Sequence, residues 1–177
     1  MTMAPGLRKL ALTAHVASSV GWLGAVVAFL ALAVAGMTSQ DAQTVRAAYL
    51  TMELIAWYAL VPLAVASLIT GLVQALGTTW GLLRHYWVLF KLLINLFATI
   101  VLLLYTQTLD HFAGLAAETT LPGGDLSGLR SPSPVLHAGA ALLLLLVAMA
   151  LAVFKPQGLT PYGQRKQRAA LGRRNAV

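Results

Sequence analysis

Residues 10–36 read LALTAHVASSVGWLGAVVAFLALAVAG, with no Asp, Glu, Lys or Arg from end to end. As a helix rising 1.5 Å per residue, such a run crosses a hydrocarbon layer of ~30 Å, which takes ~20 residues. Arg8 and Lys9 precede it and the small residues Ala33-Val34-Ala35 close it. Those are marks of a secretory signal, but the apolar run far exceeds the ~7–15 residues of a cleaved core. The sequence therefore predicts a retained transmembrane helix.

Three further runs of comparable length follow, at residues 47–76, 87–109 and 135–154. Glu53 and Lys91 are the only charged residues within them. The chain is 59% hydrophobic and 10% charged, against ~25% charged in an average soluble domain. The expected fold is all-α: one four-helix transmembrane bundle over residues 1–156, followed by a basic tail, 157–177. The bilayer is its solvent, so each polar side chain inside a span requires a partner or a purpose.

Charge fixes the expected orientation. Arg8 and Lys9 precede the first helix, Arg84 lies between the second and third, and Lys155, Arg165, Lys166, Arg168, Arg173 and Arg174 follow the fourth. With four spans these share one face. Asp41, Arg46, Asp110, Glu118, Asp125 and Arg130 share the other, with Glu53 near it. The positive-inside rule then places both termini in the cytoplasm, across a bacterial inner membrane. The net charge of +7 is distributed along membrane edges and the tail, which excludes a nucleic-acid surface as its purpose.

The connections read simply. Thr38-Ser39-Gln40-Asp41 is a short polar turn, and residues 77–86 carry Trp80, Tyr86 and Trp87 at headgroup depth. Residues 111–134 read as a long external loop with turns at Pro122-Gly123-Gly124 and Ser131-Pro132-Ser133-Pro134. There Pro134 is placed to open the fourth helix. Pro62 falls mid-span and predicts a kink. The tail lacks an apolar period and is expected to lie on the anionic leaflet or remain mobile.

Polar stripes mark a candidate site. His15, Ser19 and Trp22 share a face of the first helix; Ser67, Thr70 and Gln74 share one on the second; Lys91, Asn95 and Thr99 share one on the third. His15, Gln74 and Lys91 all fall in the cytoplasmic half. Imidazole ligates haem iron, and Lys91 with Arg84 suits a propionate, so haem b is the expected cofactor. The alternatives for His15 and Lys91 are an interhelical hydrogen bond and snorkelling. A lower-ranked metal site, for zinc or copper, draws on His111 and His137 with Glu53 and Asp110 nearby. His15 and His137 belong to opposite leaflets and cannot share one haem.

Absences narrow the class. Cysteine is missing, which removes disulfides and thiolate metal sites. There is no phosphate loop and no serine or cysteine nucleophile motif. No mid-membrane carboxylate or repeat symmetry supports a transporter. On the first helix, Ala14, Ser18, Gly21, Ala25 and Ala28 form a ridge of small residues. Such a ridge suits close helix packing, either in a homo-oligomer or against a membrane partner of an accessory subunit.

His15 and Trp22, followed by Gly24, with Trp87 and Lys91 on a later helix, resemble the HemJ-type protoporphyrinogen oxidases. In that family an early helix reads approximately H-x6-W-x-x-G and a later one W-x-x-x-K. Gly24 here falls one place early, and Val26-Val27-Ala28-Phe29-Leu30 stands where the family has Pro-Arg. The resemblance implies haem ligation by His15, a required Lys91 and a membrane oxidoreductase. The histidine followed by W-x-G is also similar to CopD-type copper-resistance proteins. The ending Phe154-Lys155-Pro156-Gln157-Gly158-Leu159-Thr160 resembles uncharacterised four-helix membrane proteins of actinobacteria.

Overall fold

In a computed structural model, residues 3–77, 81–118 and 127–174 are described. The expected headgroup ring Trp80, the turn Pro122-Gly123-Gly124 and Asp125 lie outside them. The helices are α1 (Pro5–Thr38), α2 (Ala42–Ile55), α3 (Val61–Gly77), α4 (Tyr86–Glu118), α5 (Ser133–Phe154) and α6 (Pro161–Arg174). The described residues form no β-strand; one isolated bridge pairs His85 with Leu159.

Four helical stretches are long and apolar enough to cross a membrane: Pro5–Thr38, Ala42–Gly77, Tyr86–Glu118 and Ser127–Phe154. The chain is an integral membrane protein by that criterion. Its apolar side chains face outward in quantity: Leu104, Val153 and Phe154 are exposed, Phe154 by 80%. In water such a surface would drive aggregation; in lipid it is the solvated face.

The second span is α2 and α3 joined by a π-helical turn, Ala56–Leu60, in which the Val61 N–H reaches the Ala56 carbonyl. Pro62 accounts for it. Proline has no N–H and its ring crowds the carbonyl four residues back, so the wider turn relieves the clash. The expected kink is thus a local π-turn immediately before the proline.

This broken span packs between α1 and α4 on one side, and α5 packs between the same two on the other, leaving α1 and α4 diagonal. The core mixes large and small side chains. Trp22, Phe29, Tyr49 and Met52 interlock with Ala33, Ala56, Ala64 and Ala116. The α1 ridge is partly consumed here. A Cβ on Gly21 would meet Leu63 Cδ2 at 3.2 Å, and Ala25 packs against the core, whereas Ala14 and Ala28 stay exposed.

One end of the bundle carries its own joinery. Asp41 caps α2, accepting from the Thr44 N–H at 3.0 Å and the Thr44 hydroxyl at 2.6 Å. These bonds favour the carboxylate and hold the Asp41 carboxyl below its ordinary range. Arg46 donates to the Ala116 carbonyl at 2.9 Å and the Ala117 carbonyl at 3.4 Å, satisfying the end of α4. Tyr49 donates to the Leu129 carbonyl, and Arg130 bonds Ser39 and Gln40. The external loop expected over 111–134 is therefore helical as far as Glu118 and tied down around Leu129, which is 2% exposed. Phe112, Ala113 and Ala116 continue the buried face of α4 beyond Asp110.

The opposite end holds the N-terminus, the α3–α4 connection and the C-terminal segment. The Met3 N–H bonds the Gly77 carbonyl at 3.2 Å, and Gln74 donates to the Arg8 carbonyl at 3.4 Å. The tail, expected on the anionic leaflet or mobile, is helical over α6, and the segment leading into it is docked onto residues 83–86. The Tyr86 N–H bonds the Gly158 carbonyl at 3.3 Å, and the Thr160 N–H bonds the Arg84 carbonyl at 3.1 Å. The Thr160 hydroxyl donates to the Leu83 carbonyl and accepts from the Gly163 N–H at 3.1 Å, capping α6 ahead of Pro161.

Candidate functional site

His15 sits on the inward face of α1, half-buried against α3. Its Nδ1 lies 3.1 Å from the Thr70 hydroxyl. That hydroxyl donates to the Ala66 carbonyl at 2.6 Å. With its own proton committed there, Thr70 acts as acceptor, and the Nδ1 of His15 is the protonated nitrogen. Nε2 is left with its lone pair. Gly71 makes room for the ring: a Cβ there would stand 3.1 Å from His15 Cε1. A ring fixed at Nδ1 with an open Nε2 is the arrangement that orients metal-ligating histidines.

The surroundings extend the polar seam between α1 and α3. Ser19 and Ser67 hydroxyls meet at 2.9 Å, and Ser18 approaches Thr70 at 3.4 Å while donating to the His15 carbonyl at 3.1 Å. Each interhelical bond of this kind contributes about 0.6 kcal/mol in a membrane, so the seam is stabilising but modest. The expected stripe Ser67, Thr70, Gln74 does face α1.

Lys91 and Asn95 are half-buried on α4, and Thr99 is buried below them, donating to the Asn95 carbonyl at 2.7 Å. Their common inward face is as expected. Among the described residues, no carboxylate accompanies Lys91: Asp41, Glu53, Asp110 and Glu118 all belong to the opposite end.

Other predicted residues lie elsewhere. Trp22, 2% exposed, shares the inward face of α1 but lines a separate apolar cavity of ≈ 220 Å³ with Phe29, Tyr105 and His137. That volume is below the roughly 300–1,000 Å³ of drug-sized ligand pockets, and His15 is not on its wall. A porphyrin does not fit there. Arg84 lines a groove beneath α6 with His85 and Lys155. It is not in the hydrogen-bonded cluster of His15.

His137 stacks on Tyr105 at 4.0 Å between ring centroids, and its Nδ1 bonds the Ser133 carbonyl at 2.9 Å. His111 stands beside Phe112 and Asp110 accepts from the Trp57 indole at 3.0 Å. Among the described residues, no group of three His, Cys, Asp or Glu side chains gathers to hold a metal. Sequence reasoning missed the Tyr105–His137 stack, Gly71, and the docking of Thr160 and Gly163. The first two have no spacing signal, since their partners lie on other helices. Thr160-Pro161 does carry one, a capping residue followed by proline at the first helical position. No family model, curated protein or solved structure matches this chain.

Proposed function

We propose that this is a haem-b-binding protein of the bacterial cytoplasmic membrane with a redox role, its iron held by Nε2 of His15. One observation carries the reading: the Thr70 hydroxyl, its proton given to the Ala66 carbonyl, accepts from Nδ1 of His15 and leaves Nε2 as the nitrogen for a ligand. Lys91 supports it: half-buried on α4, with no Asp or Glu side chain beside it among the described residues, it is suited to a propionate. Asn95, one turn further on, extends that polar face. The resemblance of His15, Trp22, Trp87 and Lys91 to the HemJ-type motifs points the same way. Bound haem supplies one-electron chemistry, tuned by the axial ligand and by the dryness of the site. The chain's own part is to fix the imidazole, neutralise a carboxylate and exclude water.

The test is the visible spectrum of the purified, untagged protein, oxidised and then reduced with dithionite. A Soret band that shifts on reduction is expected, lost in His15→Ala and kept in His137→Ala. Protein that stays colourless after incubation with haem sinks the reading. Equal retention of haem in both variants removes His15 from it.

A colourless protein favours the second reading, a non-enzymatic subunit packed against a membrane partner through α1. Gly24 is the observation behind it: it is exposed, and a Cβ there meets nothing within 4 Å, so a partner helix can approach closely.

A further inference from the structure

The apolar cavity of ≈ 220 Å³ that Trp22 lines has a composition of its own. Phe, Trp and Tyr make up 8% of the chain, yet Trp22, Phe29, Phe97 and Tyr105 all stand in this one wall, and the His137 ring joins them. Room is left because Ala138, Ala140 and Ala141 line it from α5. An apolar cavity of about 150 Å³ stays dry and accepts a benzene ring. This one therefore holds a single ring with small substituents. A saturated chain packs as well against leucine, whereas a wall of rings favours a planar conjugated guest, through offset and edge-to-face contacts.

Entry is from the bilayer. Phe97 and Ala140 are exposed, so the cavity wall reaches the lipid-facing surface along the seam of α4 and α5. One polar group marks the end away from the termini. The Ser133 carbonyl can only accept, and at 2.9 Å it takes the Nδ1 proton of His137, leaving Nε2 as the nitrogen for a ligand. Among the described residues nothing bonds Nε2, while the Tyr105 hydroxyl is engaged with that of Ser133 at 3.1 Å. Depth agrees. Trp57, bonded to Asp110, and the exposed Tyr58 are rings of the kind that mark headgroup level. Tyr105 lies five residues further into the span on α4, about 8 Å deeper.

We infer that this cavity binds the ring of a lipid-borne phenol: a single hydroxylated aromatic ring on an apolar tail, the class that includes membrane quinols. The hydroxyl donates to Nε2 of His137, the ring fills the space beside Trp22 and Phe29, and the tail leaves between α4 and α5. The inference is independent of haem.

The test is native mass spectrometry of the full-length protein released from micelles doped with equimolar 4-nonylphenol, 4-nonylanisole and 4-nonylcyclohexanol. The anisole keeps the ring without the donor, and the cyclohexanol keeps the donor without the flat ring. Wild-type protein should retain one nonylphenol, about fivefold ahead of the anisole, the worth of one neutral hydrogen bond, and ahead of the cyclohexanol too. His137→Phe keeps a ring against Tyr105 and removes the acceptor, so the preference over the anisole should vanish while that over the cyclohexanol remains. Ala141→Phe places a ring in the cavity and should exclude all three probes. Ala141→Leu fills it in part and should weaken binding, should Ala141→Phe fail to fold. Equal retention of the three probes by wild type would mean a slot for any hydrocarbon chain, an ordinary acyl tail included, and overturns the proposal. Undiminished retention in the Ala141 variants would place the ligand elsewhere and overturns it as well. A preference over the anisole that survives His137→Phe takes away the partner of the hydroxyl, with the same consequence.

Discussion

At the residue scale, the hydroxyl of Thr70 decides what His15 can do. The sequence places it only in a polar stripe of the second span, since threonine in a transmembrane helix usually bonds its own backbone. Thr70 does so, toward Ala66, and that very bond makes its oxygen an acceptor for Nδ1. Thr70→Val preserves shape and removes the acceptor. Haem affinity should fall roughly 10- to 100-fold, the usual effect of deleting the partner that orients a metal-ligating histidine. A titration of apoprotein with haem checks it, and an unchanged affinity would separate Thr70 from the site. Asp41 offers a second single-residue test at the far end. Its carboxyl is held below the ordinary range by the Thr44 bonds, so the folded state binds its proton less readily than the unfolded chain. The resulting stability is complete above the unfolded carboxyl range and is lost as pH falls through the lower folded value. Asp41→Asn retains a competent cap without a titrating group. Its thermal stability should vary less between pH 5 and pH 3 (roughly the carboxylate range) than that of wild type. Parallel curves would refute the assignment.

At the element scale, the spans were legible because hydrocarbon imposes a length, and the run 135–154 ends as expected at Phe154. The helix ends beyond the bilayer were not, because no such length applies there. Asp110 and His111 read as a stop, yet α4 continues to Glu118 because Phe112, Ala113 and Ala116 keep its buried face. Arg46 then covers the carbonyls that the helix end exposes. Replacing it by methionine retains the apolar stem and removes both donors. Amide exchange over residues 113–118 should quicken roughly tenfold, the loss of about one charge-assisted bond, with α1 and α5 unaffected. Uniform quickening throughout the protein would mean that Arg46 supports the whole bundle instead of one end. The polar seam of α1 and α3 lies between these extremes. Its stripes were visible helix by helix, but which helices meet was not, since spacing within a helix carries no information about its neighbour. The His15–Thr70 pairing therefore had to come from the packing.

At the scale of the whole molecule, asymmetry of charge is the strongest regularity, and it organises both ends differently. The end with acidic residues satisfies itself: Asp41 caps α2, Asp110 takes the Trp57 indole, and Arg46 and Arg130 bond carbonyls. The basic end is closed by backbone and hydroxyl bonds and presents Arg8, Lys9, Arg165, Lys166 and Arg168 outward. If all four stretches cross the bilayer, an even number of spans returns the chain to its starting side, and both termini should share one compartment. The Met3–Gly77 bond and the Thr160 seam bring them to the same end. Basic segments near a span resist translocation, so that compartment should be the cytoplasm. A fluorescent protein fused after Val177 should glow, and alkaline phosphatase fused there should be inert, whereas phosphatase inserted after Gly123 should be active. The orientation should also be robust. Neutralising Arg8 and Lys9 with glutamine removes only the charges ahead of the first span and leaves Arg84, Lys155 and α6 in place. The same reporters should therefore give the same pattern in that double variant. Reversed reporters in the wild type would exclude the cytoplasmic assignment. Reversal in the double variant alone would show that the first helix sets orientation before the rest of the charge is made.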